Sequence, residues 1–504
     1  MLAALINAVR PLCQGDDPDV VIDAIGGASA GSMTGLLAAR CLTGGFDPVE
    51  IMIRAWVTGD PIQQLLHTSG DSPLSSSKLR KLAEQLLGAA SDPVRGSQTK
   101  PVRLVMMLGC LRGLAYKAEE PGRPEVEATT YVDLATFEID QHWTPDRFLE
   151  PALSSPVDVA LASGANPIGF PPQLLDRRSA AGSYRANGLT LPPEGFLWYT
   201  DGGTLDNEPL GHTLDLTNDL DQGCPDGTAR VHVLIHPDPA GGPLGGAWAD
   251  RNQEPTWLET LMRADHLQRT QNLYDDLRAV VKTNTRIEWL DSVIGALNEV
   301  VAKLGPEAKQ ELATSLSQVL GRITDELKAL PAHRDAHSFA ASDEVTALVD
   351  LSVRLAAGVS DKQTVGLEVV SPTSLAEREK VPVASLLAGV ALGHFGGFFD
   401  ENLRQSDFDL GYQCALEWVA GGLARYGLDP VKVELAKDSA AGAYQPQELW
   451  RKWGGTSLGD IAKRHPMALA ELIGQLGRVS ARDMLVMHHR NNPHYRGPDR
   501  PASA

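Results

Sequence analysis

Residues 19–39 read DVVIDAIGGASAGSMTGLLAA, the order of a strand, a tight turn and a helix. The run Val20–Ile25 is mostly apolar and suits a buried strand. Gly27-Ala28-Ser29-Ala30-Gly31 matches G-x-S-x-G, and helix-forming sequence follows from Ser32 to Cys41. A serine at such a turn is held in strained backbone with its hydroxyl exposed above the sheet. Gly27 and Gly31 remove the Cβ atoms that would block the turn. The helix start behind Ser29 offers free N–H groups and the positive end of a dipole to a developing anion. The bland reading is a structural β–α turn in a Gly- and Ala-rich chain. The strand before and the helix after favour a nucleophile.

Two further segments point the same way. Residues 195–210 read GFLWYTDGGTLDNEPL, an apolar strand (Phe196–Tyr199) running into Asp201-Gly202-Gly203. An aspartate at a strand end, followed by permissive glycines, can be aimed sideways into a cleft. Residues 161–172 read LASGANPIGFPP. In order and spacing the three segments resemble the patatin-like phospholipase family: a G-x-S-x-G nucleophile, an Ala-Ser-x-Ala-x-Pro-x-x-Phe block, then D-G-G with a downstream Asn and Pro, here Asn207 and Pro209. The resemblance implies a Ser-Asp dyad hydrolase of lipid acyl esters without a catalytic histidine. Carried over by position, Ser29 is the nucleophile and Asp201 the base, with Asp206 the competing carboxylate. Gly27, Ala30 and Gly31 form the nucleophile elbow and oxyanion side, and Gly202 and Gly203 support Asp201. Asn166, Pro167 and Phe170 shape the acyl cleft. A carboxylate within hydrogen-bond reach of a hydroxyl can take its proton as an ester carbonyl is attacked. No metal or organic cofactor is implied.

The resemblance also implies something at the front. Members of the family begin with a strand and a glycine-rich oxyanion loop. Here 28 residues precede Ser29, residues 1–12 (MLAALINAVRPL) look like the helix that follows that loop, and no Gly-x-Gly occurs among them. The expectation is a chain without that loop, through a start further upstream, degeneration, or donors supplied elsewhere, such as the Ala30 N–H. One lost oxyanion donor costs about two to three orders of magnitude in turnover.

Composition narrows the rest. A chain of 504 residues can bury a large core. Hydrophobic content of 43% and charged content of 22% are those of a globular protein. A net charge of −19 argues against nucleic acid and against broad electrostatic docking on anionic membranes. A lipid ester substrate and transient contact with a membrane surface are compatible with it. Cys13, Cys41, Cys110, Cys224 and Cys414 are dispersed and odd in number, which favours a reducing compartment over a disulfide framework. Residues 1–9 lack the pattern of a signal peptide. The expected location is cytoplasmic, with peripheral membrane contact. Val381–Phe399 carries no formal charge, but its Pro382 and glycines favour a core helix ending in a Gly-rich turn over a membrane span.

Alternating segments predict an α/β fold of three layers with a mostly parallel sheet. Strands are expected at Val20–Ile25, Val102–Cys110, Thr130–Phe137, Phe196–Tyr199, Val231–His236 and Val365–Val370. Helices are expected at Leu2–Val9, Ser32–Cys41, Pro48–Trp56, Ser77–Leu87 (capped by Ser76 or Ser77) and Val157–Ala162. Ser179–Pro193 reads as a surface excursion. Residues 1–425 read as the hydrolase domain, with a helical insertion at about 250–345 that either caps the site and binds acyl chains, or pads the scaffold or mediates oligomerisation. Residues 426–504 read as a helical tail, disordered after about Asn491. Arg404 and Asp407 are spaced for an ion pair at i, i+3.

Rival readings are weaker. His232 and His236 are four apart on a strand, about 13 Å at ~3.3 Å per residue, too far to chelate one ion. A Ser-His-Asp esterase using His394 or His236 is allowed by G-x-S-x-G alone. A catalytically impaired, lipid-binding scaffold is the alternative outside enzymology. Head group, chain length and oligomeric state are not encoded in any of these motifs.

Overall fold

A computed structural model of the chain describes residues 1–15, 17–59, 62–66, 72–88, 98–118, 126–143, 154–167, 169–221, 228–239, 257–329, 345–356, 364–391 and 395–490. Its strands are β1 (Ala24–Gly27), β2 (Val102–Ala118), β3 (Val126–Ile139), β4 (Gln173–Asp176), β5 (Leu189–Thr190), β6 (Phe196–Asp201), β7 (Val231–Ile235) and β8 (Gly366–Val370). β2 is the organising strand. β3 pairs along one edge of it, from Val102↔Ile139 to Ala118↔Val126. The other edge is shared: β1 occupies Arg103 to Met106, β6 occupies Leu108 to Cys110, and β5 pairs at Ala115 and Tyr116.

The α/β architecture expected from the sequence holds, but the strand directions are mixed. β1–β2 and β7–β8 are parallel; β2–β3, β2–β5, β2–β6 and β4–β6 are antiparallel. The reason lies in the connections. Parallel neighbours need a crossover, which the helices at 30–87 supply between β1 and β2 and those at 257–356 supply between β7 and β8. β2 and β3 pair antiparallel, and among the described residues no helix lies between them.

Alternation along β2 explains the layering. Leu104, Met106 and Leu108 share one core with Leu36 and Leu37 of the elbow helix (Ala30–Gly44) and Leu161 of the helix Pro156–Ser163. Val105 and Met107 point the other way, toward Val132, Leu134 and Leu216 of the helix Leu210–Asp221. A strand buried on both faces reads as a continuous apolar run, and each fully buried side chain contributes about 1.5–3 kcal/mol.

Several element boundaries shift. β1 begins at Ala24, and Asp23 before it is held by the two terminal guanidinium nitrogens of Arg230 at 2.9 and 2.7 Å. The helix Pro48–Met52 continues as a π-helical turn, Ile53–Val57. Ser75, not Ser76 or Ser77, precedes the helix Ser76–Leu87. Val381–Phe399 forms no core helix: its described residues hold only the 3₁₀ turns Val383–Ser385 and Phe395–Phe399, as Pro382 and four glycines disfavour α-helix. The expected Arg404–Asp407 pair does not form. Asp407 accepts from the N–H groups of Ala388 and Gly389 at 2.6 and 2.9 Å, while Arg404 donates to the Gly59 carbonyl at 3.3 Å and lies over the Phe398 ring. Burial raises the Asp407 carboxyl to about 6.

The helix Pro430–Ala443 packs on Leu2–Val9, with Ser439 Oγ donating to the Asn7 carbonyl at 2.7 Å. The expected disorder after Asn491 falls outside the described residues, as does Cys224; Cys13, Cys41, Cys110 and Cys414 are buried free thiols. No helix among the described residues is long and apolar enough to cross a membrane.

The excursion at 179–193 is partly buried. Its helix Ala181–Ala186 carries Tyr184 into the core, where Tyr184 and Tyr199 of β6 both donate to Asp133 Oδ2 of β3. Arg177 completes the network, donating to Tyr184 Oη at 2.8 Å and the Leu134 carbonyl at 2.6 Å. Asp133 and Arg177 are both buried. Removing one partner of a buried charge pair leaves the other uncompensated. Arg177→Met should therefore lower the unfolding free energy by about 3–5 kcal/mol in denaturant titration.

Candidate active site

The sharing of one edge of β2 creates the site. β1 runs toward its end at Gly27, opposite Met106; β6 runs the other way and ends at Asp201, opposite Leu108. The two strand ends therefore face each other about two residues apart along β2, roughly 7 Å. The loops leaving them carry positions 29 and 201 into one space. Gly202 is required by this fit: a Cβ there would lie 2.1 Å from the Met107 carbonyl oxygen.

Ser29 sits at the top of the elbow with φ 52° and ψ −126°. A non-glycine residue at positive φ costs about 1–3 kcal/mol and persists only where the surroundings impose it. Here Gly27 is so close to the start of the elbow helix that a Cβ would lie 2.5 Å from the Gly31 carbonyl carbon. Beside the turn, the Ser29 N–H donates to Ser163 Oγ at 3.0 Å. Ser32 Oγ donates to the Gly27 carbonyl at 2.7 Å and lies 2.8 Å from Ser163 Oγ.

Ser29 Oγ donates to Asp201 Oδ2 at 2.8 Å. Asp201 is 1% exposed, and its other oxygen, Oδ1, accepts from the Gly203 N–H at 2.8 Å. The backbone on either side of it is tied to the block at 161–172, since the Asp201 N–H and Thr200 Oγ1 both donate to the Ala165 carbonyl at 3.0 Å. Asp206 points elsewhere: its Oδ2 is 3.9 Å from His212 Nε2, and burial raises its carboxyl to about 6. Ala30 lines the pocket, and among the described residues no acceptor takes its N–H. Gly31 is exposed and donates to the Ala28 carbonyl at 2.7 Å.

A cavity of about 160 Å³ opens beside Ser29. Its wall is aliphatic and aromatic apart from Ser29 and Asn166. Phe170 lines it, whereas Pro167 is exposed and does not. Much of the wall was not legible in the sequence: Trp56 of the π-helical turn, Leu79 and Leu86 of the helix Ser76–Leu87, and Phe395 and Phe398 from the distant 3₁₀ turn. The Phe-Gly-Gly-Phe spacing was visible, but nothing local tied it to Ser29. None of the described residues of the helical insertion lines the cavity. Its long helix, Trp257–Ala302, instead braces the loop after Asp201, through Asn272 donating to the Leu205 carbonyl and Asp276 accepting from the Gly211 N–H at 3.0 Å.

The histidines weighed above are engaged elsewhere or not described. His232 Nε2 contacts Thr217 Oγ1 at 3.0 Å, His236 Nε2 contacts Glu208 Oε1 at 2.9 Å, and His394 lies outside the described residues. No group of three His, Cys, Asp or Glu among the described residues could hold a metal ion.

Comparison with known proteins bears on this geometry. A search of curated proteins finds no match. A family model described as patatin-like phospholipase matches residues 1–214, a span that contains the elbow, the Ser163–Phe170 block and Asp201. Residues 1–214 of the chain are thus similar to the patatin-like phospholipase family.

Proposed function

We propose that this chain hydrolyses carboxylic esters of lipids, with Ser29 as nucleophile and Asp201 as the acid–base partner. The observation that carries the reading is the 2.8 Å contact between Ser29 Oγ and Asp201 Oδ2 beside an apolar cavity. The cavity suits an acyl chain, whose transfer from water to an aliphatic wall is favourable by about 0.8 kcal/mol per methylene.

In this reading Ser29 Oγ attacks the ester carbonyl as its proton passes to Asp201 Oδ2. The Gly203 N–H on Oδ1 keeps the carboxylate turned toward the hydroxyl. The negative charge that develops on the carbonyl oxygen is met by the Ala30 N–H and the positive end of the elbow helix. Collapse expels the alcohol, which takes the proton back from Asp201 and leaves Ser29 acylated. Water then attacks the acyl-enzyme, with Asp201 again taking and returning a proton. The Ser-His-Asp alternative gains no support, because the hydroxyl is already bonded to a carboxylate and His236 to Glu208.

Hydrolysis of p-nitrophenyl esters and of phospholipid vesicles by the purified chain tests this. Ser29→Ala should lower kcat by at least about a thousandfold. Asp201→Asn keeps an acceptor for the Gly203 N–H but cannot take a proton, and should lower kcat by about 10²- to 10⁴-fold. A parent chain that binds fatty acids yet shows no Ser29-dependent turnover would identify a lipid-binding scaffold instead.

The aromatic wall makes a second prediction. Phe398→Ala enlarges the cavity, so the ratio of kcat/KM for long- over short-chain esters should rise by about tenfold. An unchanged chain-length profile would show that Phe398 does not limit the acyl chain.

A further inference from the structure

The hydroxyl of Ser163 has no place in the proton transfers above, yet it is fully buried against the elbow. Its bonding can be assigned by counting protons. A serine hydroxyl carries one proton and two lone pairs. Ser32 Oγ spends its proton on the Gly27 carbonyl at 2.7 Å. In the 2.8 Å contact between the two hydroxyls, Ser163 must therefore be the donor and Ser32 the acceptor. Ser163 Oγ in turn accepts the Ser29 N–H at 3.0 Å. The result is a one-way chain: Ser29 N–H to Ser163, Ser163 O–H to Ser32, Ser32 O–H to the Gly27 carbonyl. It begins and ends on the backbone of the same turn, two residues apart, and its two hydroxyl-bearing residues are 0% exposed.

We infer that Ser163 is a positioning residue that clamps the Ser29 backbone in its positive-φ conformation and so aims Oγ at Asp201. Three features support this. The strained residue and the clamped N–H are the same residue. The clamp comes from a separate helix, Pro156–Ser163, fixed at its start by a capping box between Ser155 and Asp158. That helix also leads directly into Ala165, whose carbonyl holds the Asp201 N–H, so one short segment sets both partners. A consequence follows for the oxyanion: the Ser29 N–H is consumed by the clamp, which leaves the Ala30 N–H as the donor at the elbow.

This role rests on the hydrolase reading, and the test separates the two. A fluorophosphonate probe reports Ser29 nucleophilicity directly, and ester kinetics report turnover. In Ser163→Ala the Ser29 N–H loses its acceptor and the serine is freer to leave its aim. The labelling rate and kcat should both fall by about 10- to 100-fold while KM stays within about twofold. The shape of the pH–rate profile should not change, because Ser163 exchanges no proton with substrate. Ser163→Thr, which restores the hydroxyl, should recover most of the rate. Ser32→Ala keeps the acceptor for the Ser29 N–H and should lose less than Ser163→Ala; it also guards against a Ser163 variant that fails to fold. Labelling and turnover in a folded Ser163→Ala protein equal to those of the parent would overturn the clamp. A parent protein that neither labels at Ser29 nor turns over esters would remove the hydrolase reading, and the clamp's role with it.

Discussion

The site depends on how one edge of β2 is divided. Within a few residues that edge is handed from β1, ending opposite Met106, to β6, ending opposite Leu108. Two strands of opposite direction thus terminate against each other, and residues 172 apart in the chain come within hydrogen-bond reach. The arrangement holds because β2 is buried on both faces, so a slip in register would turn its apolar side chains out of two cores at once. Gly202 shows how close the fit is, since the Met107 carbonyl leaves no room for a side chain there.

Strain at Ser29 is supported by its surroundings. The unfavourable φ is set by a strand end, a helix start and a chain of buried hydroxyls that together leave the turn little freedom. Each hydrogen bond contributes about 1 kcal/mol net, comparable in size to the strain it opposes. The same economy of position governs Asp201, which accepts one bond from Gly203 to fix its plane and one from Ser29. Buried polar groups of this kind are costly when unpaired, and the hydroxyls of Ser32 and Ser163 bond to each other and to the backbone of the turn.

The pocket extends beyond the span that the family model covers. Residues 1–214 hold Ser29, Asp201 and most of the aliphatic wall, but Phe395 and Phe398 close part of it. The Arg404 guanidinium lies over Phe398 and is itself tied to the Gly59 carbonyl, while the half-buried Asp407 of the same helix binds the N–H groups of Ala388 and Gly389. A late segment of the chain is therefore part of the structural unit that shapes the cavity. The helix Trp257–Ala302 acts at a different point, bonding to Leu205 and Gly211 in the segment after Asp201.

What the amino-acid sequence determined by itself is local chemistry: a serine between strand and helix, an aspartate before two glycines, a Ser-Gly-Ala-Asn-Pro block, and helices such as Leu2–Val9 whose limits follow from apolar periodicity. These are legible because each depends on neighbours within one turn or one strand. Strand direction was not legible, because alternating β and α segments suggest crossovers whether or not the chain makes them; β2 and β3 pair antiparallel. Nor were the bonding of Arg404 and Asp407, which spacing on a helix paired and long-range partners separated, or the burial of Tyr184 against Asp133. Only the tertiary structure decided that Ser163 would reach the Ser29 N–H and that Phe398 would face the cavity, because contacts between residues more than a hundred positions apart follow from packing and leave no periodic trace.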